Sequence, residues 1–336
     1  MTLPTRPICL LVTASLAMVL APNLLCGQGT PKVLVIGIDG VRPDVLAEVP
    51  TPVMDSLAAS GWYTADTRTT TPSVSGPTWS SMLTGVWPAK HGVLDNSFGG
   101  RRHGEYPGFL TRAARDRPEL RTFAAIDWLP LAALEGGEPV LSSAIDTLVA
   151  VDGYELGWAA ADAVVTARAA LHLAGADPDA AFVYLGNPDE TSHVHGSIGA
   201  EYRDAIALAD RHVGILIQAL QARAAYLEED WLVLISTDHG RRADGGHGGP
   251  SPEEMTTFIL ASGRATRNWP AAERTFIVDV AATALHHLGG PVDISGDLDG
   301  QPLGTTRGDP LLSTRRPPPQ GGGVRRGPDS RRPSRP

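Results

Sequence analysis

The sequence predicts an α/β fold: a mostly parallel central sheet with helices on both of its faces. Three observations carry this expectation. Short, continuously apolar, β-branched runs recur along the chain, as strands buried on both sides do. Stretches of helix formers at helical spacing alternate with them, the order expected of βαβ units. The apolar runs also end abruptly in polar residues, Asp39-Gly40 after one and Asp238-His239-Gly240 after another.

The first strand is residues 33–38 (VLVIGI). Residues 182–185 and 231–236 (WLVLIS) repeat its pattern, and residues 121–126 and 257–261 are further strands. Residues 51–60, 76–84, 157–173, 200–222 and 278–288 carry helix formers at helical spacing. The stretch 107–143 gives a less definite pattern, and no internal repeat is visible. The chain has 336 residues, of which 42% are hydrophobic and 19% charged. That is enough for a sizeable core.

Both ends are expected to lie outside the fold. Arg6 precedes an apolar run at residues 8–25, followed by Gly27, Gln28 and Gly29. A basic start, an apolar stretch and small residues after it predict a secretory signal over residues 1–28. The alternative is a membrane anchor, which Pro22 and the short run argue against. Lipoprotein cleavage at Cys26 would place Leu25 where a small residue is usual. The protein is therefore expected to be exported, periplasmic or secreted, with no stable membrane span after cleavage. Cys9 and Cys26 are the only cysteines in the chain, so a catalytic domain at residues 31–306 would have neither a disulfide nor a cysteine–metal site.

Residues 307–336 carry eight Arg against two Asp among many Pro and Gly. They predict a disordered tail, because nothing in them can build a core. Removing that tail and Arg6 from the net charge of −9 leaves about −16 for the body. A body so acidic argues against a nucleic-acid-binding groove.

Asp39, Asp189, His193, Asp238, His239 and His247 are expected in loops beside strand ends. In open α/β sheets ligands bind beyond the carboxyl ends of strands. Three carboxylates brought to one edge repel unless a cation sits among them. Carboxylates mixed with imidazoles suit zinc, though Mn²⁺ or Fe²⁺ accept similar ligands. Two divalent ions sharing the six residues would have three protein ligands each, leaving positions open for substrate.

Seven ordered segments carry a resemblance: Asp39-Gly40-Val41-Arg42-Pro43-Asp44; Ser75-Gly76-Pro77-Thr78; the run from Leu83-Thr84-Gly85 to His91-Gly92-Val93; Asp95-Asn96; Asn187-Pro188-Asp189-Glu190-Thr191-Ser192-His193; Thr237-Asp238-His239-Gly240; and Gly246-His247-Gly248. Together they resemble the type I phosphodiesterase/nucleotide pyrophosphatase branch of the alkaline phosphatase superfamily, over about Val33 to His247. The resemblance implies an alkaline-phosphatase-like fold and a metal-dependent hydrolase of small phosphate esters. It implies that Asp39, Asp238 and His239 hold the zinc that activates the nucleophile, and that Asp189, His193 and His247 hold the other. Counting back from Thr84-Gly85, the nucleophile falls on Ser75, with Thr78 as its rival, and attack would give a phosphoseryl intermediate. Asn96 matches an Asn that binds a phosphoryl oxygen. Ser192 stands where the family has Gly. Only seven residues separate His239 from His247, where nucleotide pyrophosphatases carry a long insertion. The resemblance therefore implies a more open pocket and leaves nucleotide specificity undecided.

Other readings compete. The competing reading makes Ser75 a helix N-cap and Asn96 a turn residue, and His195 is read as support for the site or as structural rather than as a ligand. His91 reads as structural. Arg42, Arg68, Lys90, Arg101 and Arg102 read as solvated surface. A sulfatase of the same superfamily would need Arg where Trp79 stands. A catalytically inactive binding protein on the same fold is the alternative of another class.

Overall fold

A computed structural model describes residues 29–133, 136–271, 274–289 and 297–305. The expected signal, the tail and both cysteines lie outside these residues.

Eight strands form one sheet. They are β1 (Thr30–Ile38), β2 (Trp62–Arg68), β3 (Thr122–Ile126), β4 (Thr147–Ala150), β5 (Ala180–Leu185), β6 (Glu229–Ser236), β7 (Thr256–Ser262) and β8 (Thr275–Phe276). Their order is β4-β3-β5-β1-β6-β7-β2-β8. Only β7 runs against the rest, pairing antiparallel with β6 and β2. All five expected strands are present, with boundaries moved by one to three residues. The polar β2, the four-residue β4 and the two-residue β8 lie at or near the sheet's edges, where the long apolar run that marks a central strand is not required.

The helices are α1 (Pro43–Leu46), α2 (Pro52–Ser60), α3 (Ser75–Thr84), α4 (Pro88–His91), α5 (Phe109–Asp116), α6 (Gly153–Leu156), α7 (Trp158–Gly175), α8 (Asn187–His195), α9 (Ala200–Gln221), α10 (Pro252–Met255) and α11 (Asp279–His287). The five expected helices correspond to α2, α3, α7, α9 and α11. The indefinite stretch holds α5 and β3.

β1 shows why the sheet is covered on both sides. Val33 and Val35 join a core with Trp79, Met82 and Leu83 of α3, Phe109 of α5 and Ala281 of α11. Leu34, Ile36 and Ile38 join a second core with Val165 of α7, Tyr202 and Val213 of α9 and Met54 of α2. Side chains alternate across a strand, so a strand apolar at every position must be covered twice. Each such aliphatic side chain contributes roughly 1.5–3 kcal/mol on burial.

The register decides where the chemistry sits. Gly37 of β1 pairs with Tyr184 of β5 on one side and Ser236 of β6 on the other. The three central strands therefore end level, and Asp39, Asp189 and Asp238 follow at the same carboxyl edge.

Candidate metal centre

The loop after β1 and the loop after β6 are tied together. The Val41 N–H donates to Thr237 Oγ1 at 2.9 Å, and the Gly40 N–H lies 3.4 Å from Asp238 Oδ1. Tyr202 of α9 braces the first loop from below, donating its hydroxyl to the Gly40 carbonyl at 2.7 Å and accepting the Arg42 N–H at 2.8 Å. Gly40 adopts φ +63°, and a Cβ there would stand 2.4 Å from Asp189 Oδ1. Only glycine fits that close approach.

Asp39, Asp238 and His239 form a buried trio whose ligand atoms all lie within 4.8 Å of one another. Asp39 is oriented by donors on one oxygen only. The Tyr184 hydroxyl donates to Oδ2 at 2.5 Å and the Trp79 indole Nε1–H at 2.9 Å. The other oxygen, Oδ1, has no hydrogen-bond partner and lies 3.4 Å from His239 Nε2. His239 Nδ1 lies 3.1 Å from the Gly240 carbonyl, which only an N–H can donate to. The proton therefore sits on Nδ1, and the Nε2 lone pair faces the carboxylates. Burial keeps this imidazole below its ordinary pKa. Burial and the neighbouring Asp39 charge push Asp238 well above the carboxylate range. A neutral imidazole, an orphaned carboxylate oxygen and two mutually repelling carboxylates are what a divalent cation relieves. The trio fits one.

Asp189 and His193 are not in a loop, as the sequence reading expected, but on α8. That helix starts at Asn187, two residues after β5 ends, with Pro188 in its first turn, and the i,i+4 spacing puts both side chains on one helix face. His193 Nε2 is 3.1 Å from Asp189 Oδ2 and 3.3 Å from His247 Nε2. His247 donates Nδ1–H to the Ser73 carbonyl at 2.8 Å. All six expected ligands thus stand at one edge. A second trio, Asp189, His239 and His247, also brings its ligand atoms within 4.8 Å, but it needs the same His239 Nε2 as the first. His195 is exposed at the end of α8.

Sequence reasoning missed Arg241. Its side chain is fully buried, Nη1 bonds Asp189 Oδ1, and Nη2 is 3.0 Å from His193 Nε2. Burial pulls its guanidinium down to about 10, so it remains charged at neutral pH. Its signal was its position directly after Asp238-His239-Gly240. That guanidinium stands in the Asp189/His193 half of the edge.

Ser75 is the first residue of α3 and is buried, with its Oγ 3.4 Å from His239 Nε2. Thr78 Oγ1 lies 2.7 Å from Asp238 Oδ2 and 2.8 Å from the Val74 carbonyl, so that hydroxyl is already engaged with protein acceptors. Asn96 is exposed, and its Oδ1 accepts the Gly76 N–H at 2.7 Å.

Of the five basic residues expected on the surface, Arg102 is exposed and Arg68, Lys90 and Arg101 are partly exposed, whereas Arg42 is not. Arg42 is buried, and its guanidinium meets Asp44, the Ser197 hydroxyl and the Arg241 carbonyl. Arg68 donates to Thr256 Oγ1, Lys90 pairs with Asp299, and Arg101 and Arg102 donate to the Phe98 and Ala89 carbonyls. His91 is structural, as expected: it is buried between the Val93 N–H and the Ser81 hydroxyl.

A family model described as type I phosphodiesterase / nucleotide pyrophosphatase matches residues 33–166 and 152–243. The chain belongs to the type I phosphodiesterase/nucleotide pyrophosphatase family. Relatives within reach of this family member include ectonucleotide pyrophosphatase/phosphodiesterase family member 7 of Rattus norvegicus, 26% identical over 68% of the chain and 55% of the relative. The Homo sapiens counterpart is 27% identical over 68% and 53%. The chain thus spans about half the length of these relatives. The fold matches the phosphonate monoester hydrolase of Agrobacterium radiobacter with a TM-score of 0.64, at 17% identity over 81% of this chain and 76% of that one. It matches murine ectonucleotide pyrophosphatase / phosphodiesterase 5 with a TM-score of 0.58, at 15% identity over 77% and 95%. Within the family match, Asp39, Ser75, Asn96, Asp189, His193, Asp238 and His239 are all included, and His247 lies four residues beyond it. No helix among the described residues is long and apolar enough to cross a membrane.

Proposed function

We propose that this chain hydrolyses phosphate diesters, with Ser75 as the nucleophile and a divalent metal ion, zinc by its donor set, held by Asp39, Asp238 and His239. The observation that carries this reading is a convergence on one atom: Ser75 Oγ and the orphaned Asp39 Oδ1 each lie 3.4 Å from His239 Nε2. Family membership and the names of the relatives supply the ester class.

A bound cation would act as a Lewis acid, lowering the pKa of the serine hydroxyl and offsetting the charge on the phosphoryl oxygens. The chain's own residues do the rest. Ser75 sits at the start of the ten-residue α3, where the helix dipole favours an anion. Its Oγ forms a bond to phosphorus as one ester P–O bond breaks; the hydroxyl proton passes to solvent, the alcohol leaves with a proton from solvent, and Ser75 carries the phosphoryl group with its remaining ester. Water then cleaves the Ser75 O–P bond, which returns the hydroxyl and releases the phosphate monoester. Asn96 is fixed by its bond to the Gly76 N–H, which leaves its amide NH₂ to donate to a phosphoryl oxygen. Tyr184 and Trp79 keep Asp39 aimed. Export of the chain belongs to the same reading and rests on residues 8–25.

The test compares kcat/KM on bis-p-nitrophenyl phosphate and p-nitrophenyl phosphate for the zinc-loaded protein. Preference for the diester is expected. Preference for the monoester would make the protein a phosphatase, and turnover of neither by zinc-bound protein would end the hydrolase reading. The peptide holding Ser75 is expected to carry unmodified serine. A formylglycine there would favour the sulfatase alternative.

A further inference from the structure

The short connection between His239 and His247 folds back on itself. The Gly245 N–H donates to the Arg242 carbonyl at 2.9 Å, and the Arg242 N–H to the Gly246 carbonyl at 2.8 Å. Arg241 leaves this turn inward, and its Nε donates to the Gly245 carbonyl at 3.0 Å, which fixes the root of the guanidinium. The tip then spans Asp189 and His193. A guanidinium offers donors and no lone pair. The His193 Nε2 beside it must therefore accept, and that lone pair is the one a metal would need. The absent Cβ of Gly40 makes room for the pair, since it would stand 2.6 Å from Arg241 Nη1.

We infer that the Arg241 guanidinium is the resident cation of the Asp189/His193 half of the site, so that the protein binds one divalent metal ion tightly and not two. This rests on the reading of Asp39, Asp238 and His239 as the metal centre. Three considerations lead to it. The Asp189 carboxylate needs a positive partner in a buried setting and already has one. A divalent ion placed against the same carboxylate would face a buried guanidinium across a few ångströms, a strong like-charge repulsion in a poorly screened place. His239 cannot make up the loss, because its single free nitrogen serves the Asp39 and Asp238 trio.

The experiment measures bound metal and does not depend on turnover. The purified full chain is saturated with zinc, freed of loose ion by gel filtration, and its zinc is counted by inductively coupled plasma mass spectrometry. One zinc per chain is expected for the wild type. Arg241→Met is expected to raise this to two, as His193 and Asp189 become available. Asp189→Asn is expected to leave it at one. Two zincs in the wild type, or a fall from two to one in Asp189→Asn, would overturn the role given to Arg241 and leave the metal centre standing. No zinc in any of the proteins would overturn the metal centre and the inference together. The wild-type count decides the matter even if Arg241→Met fails to fold.

Discussion

The Trp79 indole occupies the space that Gly37 leaves by having no side chain: a Cβ on Gly37 would stand 2.2 Å from the Trp79 ring. The indole lies across β1 at that point and delivers its Nε1–H to Asp39, two residues further along the chain and just past the strand's end. A glycine inside the apolar stretch of that strand thus helps to shape the candidate metal centre, through the ring it admits.

Gly37→Ala should therefore act at two levels. Overpacking a filled core costs about 1–3 kcal/mol, and a displaced Trp79 would also release Asp39 Oδ2. Chemical unfolding is expected to show that loss of stability, and zinc titration a weaker affinity. An alanine variant with unchanged zinc affinity would mean that the Trp79 contact does not orient Asp39.

Tyr184→Phe removes one donor to Asp39 with little change in shape. Groups that orient a metal ligand are typically worth about 10–100-fold in metal affinity. Competition with a chelator should show a loss in that range, with the melting temperature moved far less than by Gly37→Ala. An affinity equal to the wild type would contradict the orienting role of Tyr184.

Acid should destabilise the fold through buried imidazoles. Burial pulls His91 down to about 3 and His103 to about 4, whereas an unfolded histidine titrates near 6.5. Between these values the unfolded chain binds more protons than the folded one, so stability falls as pH drops below about 6.5. Each of the two contributes up to roughly 1.4 kcal/mol per pH unit across its window. Unfolding by urea at pH 7, 6 and 5 should show this slope, and His91→Gln should flatten it by about its own share. An unchanged slope in the variant would remove His91 from the account.

Most of the frame was legible in the chain. The apolar runs of β1, β5 and β6 declare buried parallel strands, because a strand covered on both faces has no polar positions to spare. The acidic and imidazole residues after them follow from the same logic, since loops at carboxyl ends form the edge where ligands gather. Three things were hidden. β2 (WYTADTR) and β4 (TLVA) are half-exposed strands near the sheet's edges, the first too polar and the second too short to be separated from loop. The helical setting of Asp189 and His193 was masked by a nine-residue helix whose sequence, NPDETSHVH, is polar and has no apolar stripe. Arg241 was hidden because a charged residue in a glycine-rich loop reads as solvated. Its burial depends on a turn, on Gly40 and on Asp189, three features distant from one another in sequence.

The central claim is that Ser75 attacks the ester. Its most direct test is peptide mass spectrometry of the zinc-loaded protein, acid-quenched during turnover of bis-p-nitrophenyl phosphate, with Ser75→Ala and Thr78→Val alongside. The account predicts a p-nitrophenyl-phosphoryl adduct on Ser75, its absence from Ser75→Ala with a fall in kcat of about 10³-fold or more, and a Thr78→Val variant that still forms it. An adduct on Thr78, or undiminished turnover by Ser75→Ala, would contradict it.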